Sequence, residues 1–100
     1  MDLSRVAWED DDGYWRANYR TRPYGAAPGR NYEFYRPAYL FGYEAAHRFP
    51  EHEWDEIAPD LVKAWSTYDP TTSAAWDEIA GAARDGWDRV VARRSAMANG

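Results

Sequence analysis

Large apolar residues in the second half of the chain recur every three or four positions, the spacing of one face of an α-helix. One set is Trp54, Ile57, Leu61 and Trp65, and a second set is Trp76, Ile79, Trp87 and Val90. The spacing predicts one amphipathic helix over about 52–67 and another over about 74–94. These eight side chains are the predicted core.

The two sets belong to an internal repeat, with WDEIAPDLVKAW beginning at Trp54 and WDEIAGAARDGW beginning at Trp76. Two copies are too few for a solenoid, so the repeat predicts a hairpin of two helices. The polar segment at 67–73 contains Asp-Pro and is expected to form the turn. Antiparallel pairing would bring Trp65 near Trp76 and Trp54 near Trp87.

Two residues predict details of these helices. Pro59 stands where the second copy has Gly81, and proline lacks a backbone donor, so we expect a kink near 56–59 where the helix bends or restarts. Ser73 is a typical N-cap for the last helix.

A further helix is predicted over about 36–48, with Pro37 in its first turn. Four tyrosines in this helix and just before it, Tyr32, Tyr35, Tyr39 and Tyr43, follow helical spacing, and Ala38, Gly42 and Ala46 form a second face of small residues. Small side chains would let a neighbouring backbone approach closely.

The first 30 residues contain many helix breakers and acids, including Asp10, Asp11, Asp12 and Gly13. They predict an irregular aromatic arm over 1–30, packed on a helical domain over 31–95 and followed by a disordered tail over 96–100. The expected class is all-α, a bundle of about three helices.

Aromatic residues make up 17% of the chain, and Lys63 is the only lysine. By residue counting, 1–12 carry a charge of about −4, 13–48 about +4 and 49–100 about −5. The basic middle is therefore expected to pack against the acidic helices of the same chain. The surrounding acid argues against binding to nucleic acid.

The chain has no cysteine, which excludes disulfides and thiolate metal sites and agrees with a reducing compartment. No segment has the apolar length of a membrane span or a secretory signal. We therefore predict a cytoplasmic protein without membrane contact.

The segments YWRANYRTRPY, YEFYRPAYLFGYEAA and WDEIAPDLVKAW resemble a small bacterial family of uncharacterised proteins. Some proteins with this pattern are associated with general stress responses, so the resemblance implies a role in stress tolerance. It implies no catalytic residues.

Candidate chemistry is sparse. His52 lies among Glu51, Glu53, Asp55 and Glu56, but the spacing matches no metal-ligand motif, and solvated charges at a helix start explain it. Carboxylate pairs recur in both helices of the hairpin because the segment is duplicated. We predict no metal, no cofactor and no enzyme activity.

The predicted function is a non-enzymatic interaction or structural module, binding a protein partner or a second copy as a homodimer. Its candidate interaction surface is rich in Tyr and Arg, the residues enriched at binding hot spots: Tyr14, Arg16, Tyr19, Arg20, Tyr24, Arg36 and Arg48. The alternative is a small-ligand-binding protein whose aromatic pocket lies between arm and helices, with Arg36 or Arg48 orienting the ligand.

Overall fold

The computed structural model describes residues 3–26, 30–68 and 76–99, with 3–7, 26 and 96–99 described for the backbone alone. These residues contain no strand, which confirms the all-α class. The α-helices are α1 (Leu3–Asn18), α2 (Tyr32–Arg48), α3 (Trp54–Tyr68) and α4 (Trp76–Asn99), and two short 3-10 helices cover Tyr19–Thr21 and Pro23–Ala26. The described residues thus form four α-helices, one more than predicted.

The additional helix is α1, where the sequence predicts an irregular arm. Trp8, Asp11 and Trp15 lie on one face of α1 and are buried, so the helix does have a core-facing stripe. Asp11 interrupts the apolar pattern of that stripe and conceals it in the sequence. Gly13 is exposed and meets nothing nearby, so it costs α1 only the ordinary helix penalty of about 1 kcal/mol.

Helix α2 begins at Tyr32, four residues before the predicted start. Asn31 caps the helix, because its side chain accepts a hydrogen bond from the Phe34 backbone N–H at 3.3 Å. Pro37 therefore lies inside the helix and does not open it.

Helix α3 begins at Trp54, because Glu56 reaches back and accepts a hydrogen bond from the Glu53 backbone N–H at 3.1 Å. This is one half of a capping box. The helix is continuous across Pro59, so the predicted kink does not take the form of a restart.

Helix α4 continues through Asn99, beyond the predicted end at 94, and includes 96–99 of the predicted tail. The terminal segment contains Ala96 and Ala98, and alanine is the strongest helix former. The predicted turn at 67–73 and the Ser73 N-cap fall mainly or wholly outside the described residues.

The longest helix contact is between α2 and α4, through the predicted face of small residues. A Cβ atom on Gly42 would overlap the backbone carbonyl of Ala83, and one on Gly86 would overlap the carbonyl of Tyr39. Only glycine permits this approach at both positions. The small residues of α2 thus do allow a close neighbour, and that neighbour is α4.

Both tryptophan contacts expected of the hairpin are present. The ring centroids of Trp65 and Trp76 are 6.4 Å apart, and those of Trp54 and Trp87 are 5.8 Å apart. Trp54 also stacks on Trp76 at 6.3 Å, so Trp76 contacts rings from both ends of α3, and α3 crosses α4 instead of pairing with it along its length. Of the eight predicted core residues, Trp54 and Trp76 are partly buried and the other six are buried.

None of the helices, over their described residues, combines the length and the apolar character that a membrane crossing requires.

Candidate functional site

The Tyr and Arg residues of the predicted interaction surface mostly bind partners within the chain. Arg16 pairs with Glu33 at 3.3 Å, and Arg36 pairs with Asp12 at 3.0 Å. The first pair is exposed and adds little stability, the second is partly buried, and both occupy the cations.

The aromatic members of that surface divide between core and solvent. Tyr19 is buried, and the guanidinium of exposed Arg20 lies 5.7 Å from its ring centroid. Tyr14 is 41% exposed, and Arg89 covers its ring at 3.8 Å. The predicted surface is therefore not a continuous exposed patch.

Tyr24 belongs to a hydrogen-bonded chain that joins the second 3-10 helix to α2 and α4. Its hydroxyl donates to Asp85 at 2.6 Å and accepts from the Tyr39 hydroxyl at 2.6 Å. Arg22 donates two hydrogen bonds to the same carboxylate, at 2.7 and 3.0 Å. Burial first, and then the bond to Asp85, raises the pKa of Tyr24 far above its usual value, so this phenol stays protonated.

The chain from Arg22 to Asp85 bears out the expected pairing of the basic middle with an acidic helix. Arg30 makes a second such pair, with Glu78 on α4 at 2.9 Å.

The predicted ligand pocket between the first 30 residues and the helices is largely occupied by protein. Trp15 stacks on Tyr39 with ring centroids 4.6 Å apart. A shallow cleft of about 340 Å³ does lie between α1 and α4, where Tyr14 and Trp15 contribute to its lining. Neither Arg36 nor Arg48 lines it, and Arg22 and Arg89, which do, are engaged in ion pairs.

A different cleft, of about 340 Å³, lies between α2 and α3. We call it the α2–α3 cleft. Its buried lining consists of Phe41, Ala45 and Leu61, and its more exposed lining consists of Glu44, Arg48, Phe49, Ala64, Thr67 and Tyr68. An apolar interior with a few polar groups at the margin is typical of ligand sites.

Two charged residues of α2 stand at the margin of this cleft. Glu44 accepts a hydrogen bond from the Tyr68 hydroxyl at 3.2 Å. Arg48 is exposed and, among the residues that the structure describes, has no ion-pair or hydrogen-bond partner. Arg48 is the one predicted interaction residue that lines this cleft. Glu44, which also lines it, was not predicted from the sequence.

Asp11 is the polar residue that the sequence analysis missed. Its side chain is 0% exposed, and its Oδ1 accepts hydrogen bonds from Arg89, at 3.0 Å, and from Arg93. Its position between Trp8 and Trp15 at helical spacing was the one sequence signal that could have indicated its burial. Two arginines on Oδ1 give a firm structural link between α1 and α4, while Oδ2 is buried without a hydrogen-bond partner among the described residues.

The two histidines do not form a metal site with the described residues, which contain no group of three or more metal-ligating side chains. His52 lies 3.2 Å from Glu56, one turn along the chain. The backbone hydrogen bond from Glu53, and then His52, lower the pKa of Glu56. His47 stands apart, near Arg93 and Arg94, and burial followed by these two cations lowers its pKa.

Comparisons of the chain with protein-family models, with curated proteins and with solved structures find no match.

Proposed function

We propose that this protein is a non-enzymatic binding module and that the α2–α3 cleft is its binding site. The observation that carries the proposal is Arg48, a guanidinium without a described partner at the margin of a cleft with an apolar floor. An exposed arginine above aromatic and aliphatic side chains offers both charge and apolar contact to an occupant.

The size of the cleft favours a small ligand. Small-molecule sites measure roughly 300–1,000 Å³, and the α2–α3 cleft, at about 340 Å³, lies at the lower end of that range. Phe41 and Leu61 are 6% and 4% exposed, so they form only a narrow apolar floor, and the half-buried rings of Phe49 and Tyr68 offer the aromatic surface that an occupant can contact. The proposal keeps the alternative function predicted from the sequence, a small-ligand-binding protein, with Arg48 as the orienting residue. It places the site between α2 and α3 instead of between the first 30 residues and the helices.

The test uses NMR titration of the protein with a panel of aromatic probes, namely indole, benzoate, benzylamine and L-phenylalanine. We expect at least one probe to shift the backbone amide signals around Thr67. Ala64→Phe should abolish this response, because Ala64 is exposed and its new ring would occupy the cleft.

Ala92→Phe is the matched control, because Ala92 is an exposed helical alanine that lines the cleft between α1 and α4. It should leave the response at Thr67 unchanged. Absence of any response from the whole panel, or a response that Ala64→Phe leaves intact, would contradict the proposed site.

Self-association is a second candidate, kept from the sequence analysis, and the ion pairs Arg22–Asp85 and Arg30–Glu78 show which contacts it would use. Each pair joins α4 to a residue that precedes α2, so exchange of that part between two chains would form the same contacts in a homodimer. Native mass spectrometry tests this candidate, since a dimer should persist on dilution, whereas a monomer at every concentration would exclude it. An association with stress responses, which follows from the family resemblance alone, stays a prediction.

A further inference from the structure

Two side chains of opposite charge, Glu44 and Arg48, stand at the margin of the α2–α3 cleft. Glu44 and Arg48 are one helical turn apart, in the order that normally favours an ion pair on a helix surface. No ion pair joins them among the described residues, and the Tyr68 hydroxyl instead holds Glu44 at 3.2 Å. One wall of the cleft therefore presents an anion and a cation side by side.

The spacing of these two charges suits a small zwitterion. Residues one turn apart have Cβ atoms about 5–6 Å apart, and both side chains are long enough to converge on one small molecule. The guanidinium of Arg48 can hold a carboxylate through two parallel hydrogen bonds. The carboxylate of Glu44 can accept hydrogen bonds from an ammonium group, since only its Oε1 atom is engaged by Tyr68.

The interior of the cleft supplies the third contact. Phe41, Leu61 and Ala45 are buried and apolar, and Phe49 adds an aromatic side chain at the margin. A ligand that places its charges on Glu44 and Arg48 would direct an apolar group toward these residues.

We infer that the ligand of the α2–α3 cleft is an α-amino acid with an apolar side chain. Its carboxylate binds Arg48, its ammonium binds Glu44, and its side chain lies over the floor formed by Phe41 and Leu61 and packs against the ring of Phe49. This inference rests on the proposed function, because it names the ligand class of the same cleft.

The test compares three compounds that share one ring and differ in charge: L-phenylalanine, 3-phenylpropionate and 2-phenylethylamine. Each is titrated into the intact protein, and the dissociation constant is read from the amide shifts around Thr67. We expect L-phenylalanine to bind at least about tenfold more tightly than either analogue, because each analogue lacks one of the two charged contacts.

Two variants assign the charges. Arg48→Gln should remove the advantage of L-phenylalanine over 2-phenylethylamine, which has no carboxylate. Glu44→Gln should remove the advantage over 3-phenylpropionate, which has no ammonium. The control is Arg84→Gln, an exposed arginine on α4 that pairs with Asp88 and does not line the cleft. It should leave all three constants unchanged, and circular dichroism checks that each variant is folded.

The outcomes separate the two proposals. Equal binding of the three compounds at the cleft would overturn the zwitterion inference and leave the binding function standing. A preference for L-phenylalanine that survives both Glu44→Gln and Arg48→Gln would also overturn it. Failure of every aromatic probe to shift the cleft signals would overturn both.

Discussion

Asp11 on α1 and Arg93 on α4 form an ion pair, although 82 residues separate them in sequence. The carboxylate of Asp11 is completely buried. Arg89, one turn before Arg93, donates to the same oxygen at 3.0 Å. The side chains of the two arginines are 33% exposed, so the cations remain partly solvated while the anion does not. This arrangement fixes α1 to α4 through a single buried atom.

Loss of the Asp11 charge should therefore destabilise the fold strongly. Removing one partner of a buried ion pair costs about 3–5 kcal/mol, and we expect the free energy of unfolding of Asp11→Asn to fall by roughly 3 kcal/mol. Asp10→Asn is the control, because Asp10 is exposed, and should change it by less than about 0.5 kcal/mol. Urea denaturation measures both, and equal effects would contradict a structural role for Asp11.

Gly42 and Gly13 should respond in opposite directions to the same substitution. In Gly42→Ala the new methyl group would overlap the Ala83 carbonyl, so α2 and α4 must separate at a cost of about 1–3 kcal/mol. In Gly13→Ala the methyl group meets nothing within 4 Å, and the better helix propensity should raise stability by about 0.5–1 kcal/mol. Thermal unfolding distinguishes the two, and a neutral Gly42→Ala would show that the helices are not in backbone contact.

The repeat tryptophans should be unequal in their contribution to stability. Trp65 and Trp87 are 5% and 3% exposed, and replacement of either by alanine should cost about 3–5 kcal/mol. Trp54 is only partly buried, so Trp54→Ala should cost less. Denaturant unfolding provides the values, and a cost below about 1 kcal/mol for Trp65 or Trp87 would place that ring outside the core.

His47 should make stability depend on pH. Burial, Arg94 and Arg93 lower its pKa in the folded chain, while Asp11 acts in the opposite direction. The unfolded chain then binds the proton more readily, so the contribution of His47 is present above its unfolded pKa near 6.5 and is lost as the pH falls through the folded value. Between pH 7.5 and 5, His47→Gln should lose less stability than the unmodified protein, and parallel pH profiles would contradict the assignment.

The sequence predicted those parts of the fold that depend on local spacing. The Trp-containing repeat indicated α3, α4 and the meeting of Trp65 with Trp76, because helical periodicity and a duplicated segment are visible in the chain itself. The small-residue face around Gly42 indicated a close helix contact for the same reason, although not its partner.

Features that depend on distant contacts were missed. Asp11 looked like part of a solvated acidic run, and only the arginines of α4, more than 70 residues later, make its burial favourable. Arg48 was selected for its residue type, but its relation to Leu61 and Tyr68 arises from the way α3 packs beside α2. Interhelical geometry of this kind leaves no periodic signal in a sequence.

The backbone contact at Gly42 and Gly86 has a mechanical consequence for the α2–α3 cleft. Helices α2 and α4 meet without intervening side chains at these positions, so their backbones pack in direct contact. Helix α3 touches α4 chiefly through the rings of Trp54 and Trp65, and ring contacts tolerate small displacements. We expect the α2 wall of the cleft, which bears Glu44 and Arg48, to be the stiffer one, and the α3 wall to adjust to the bulk of the occupant.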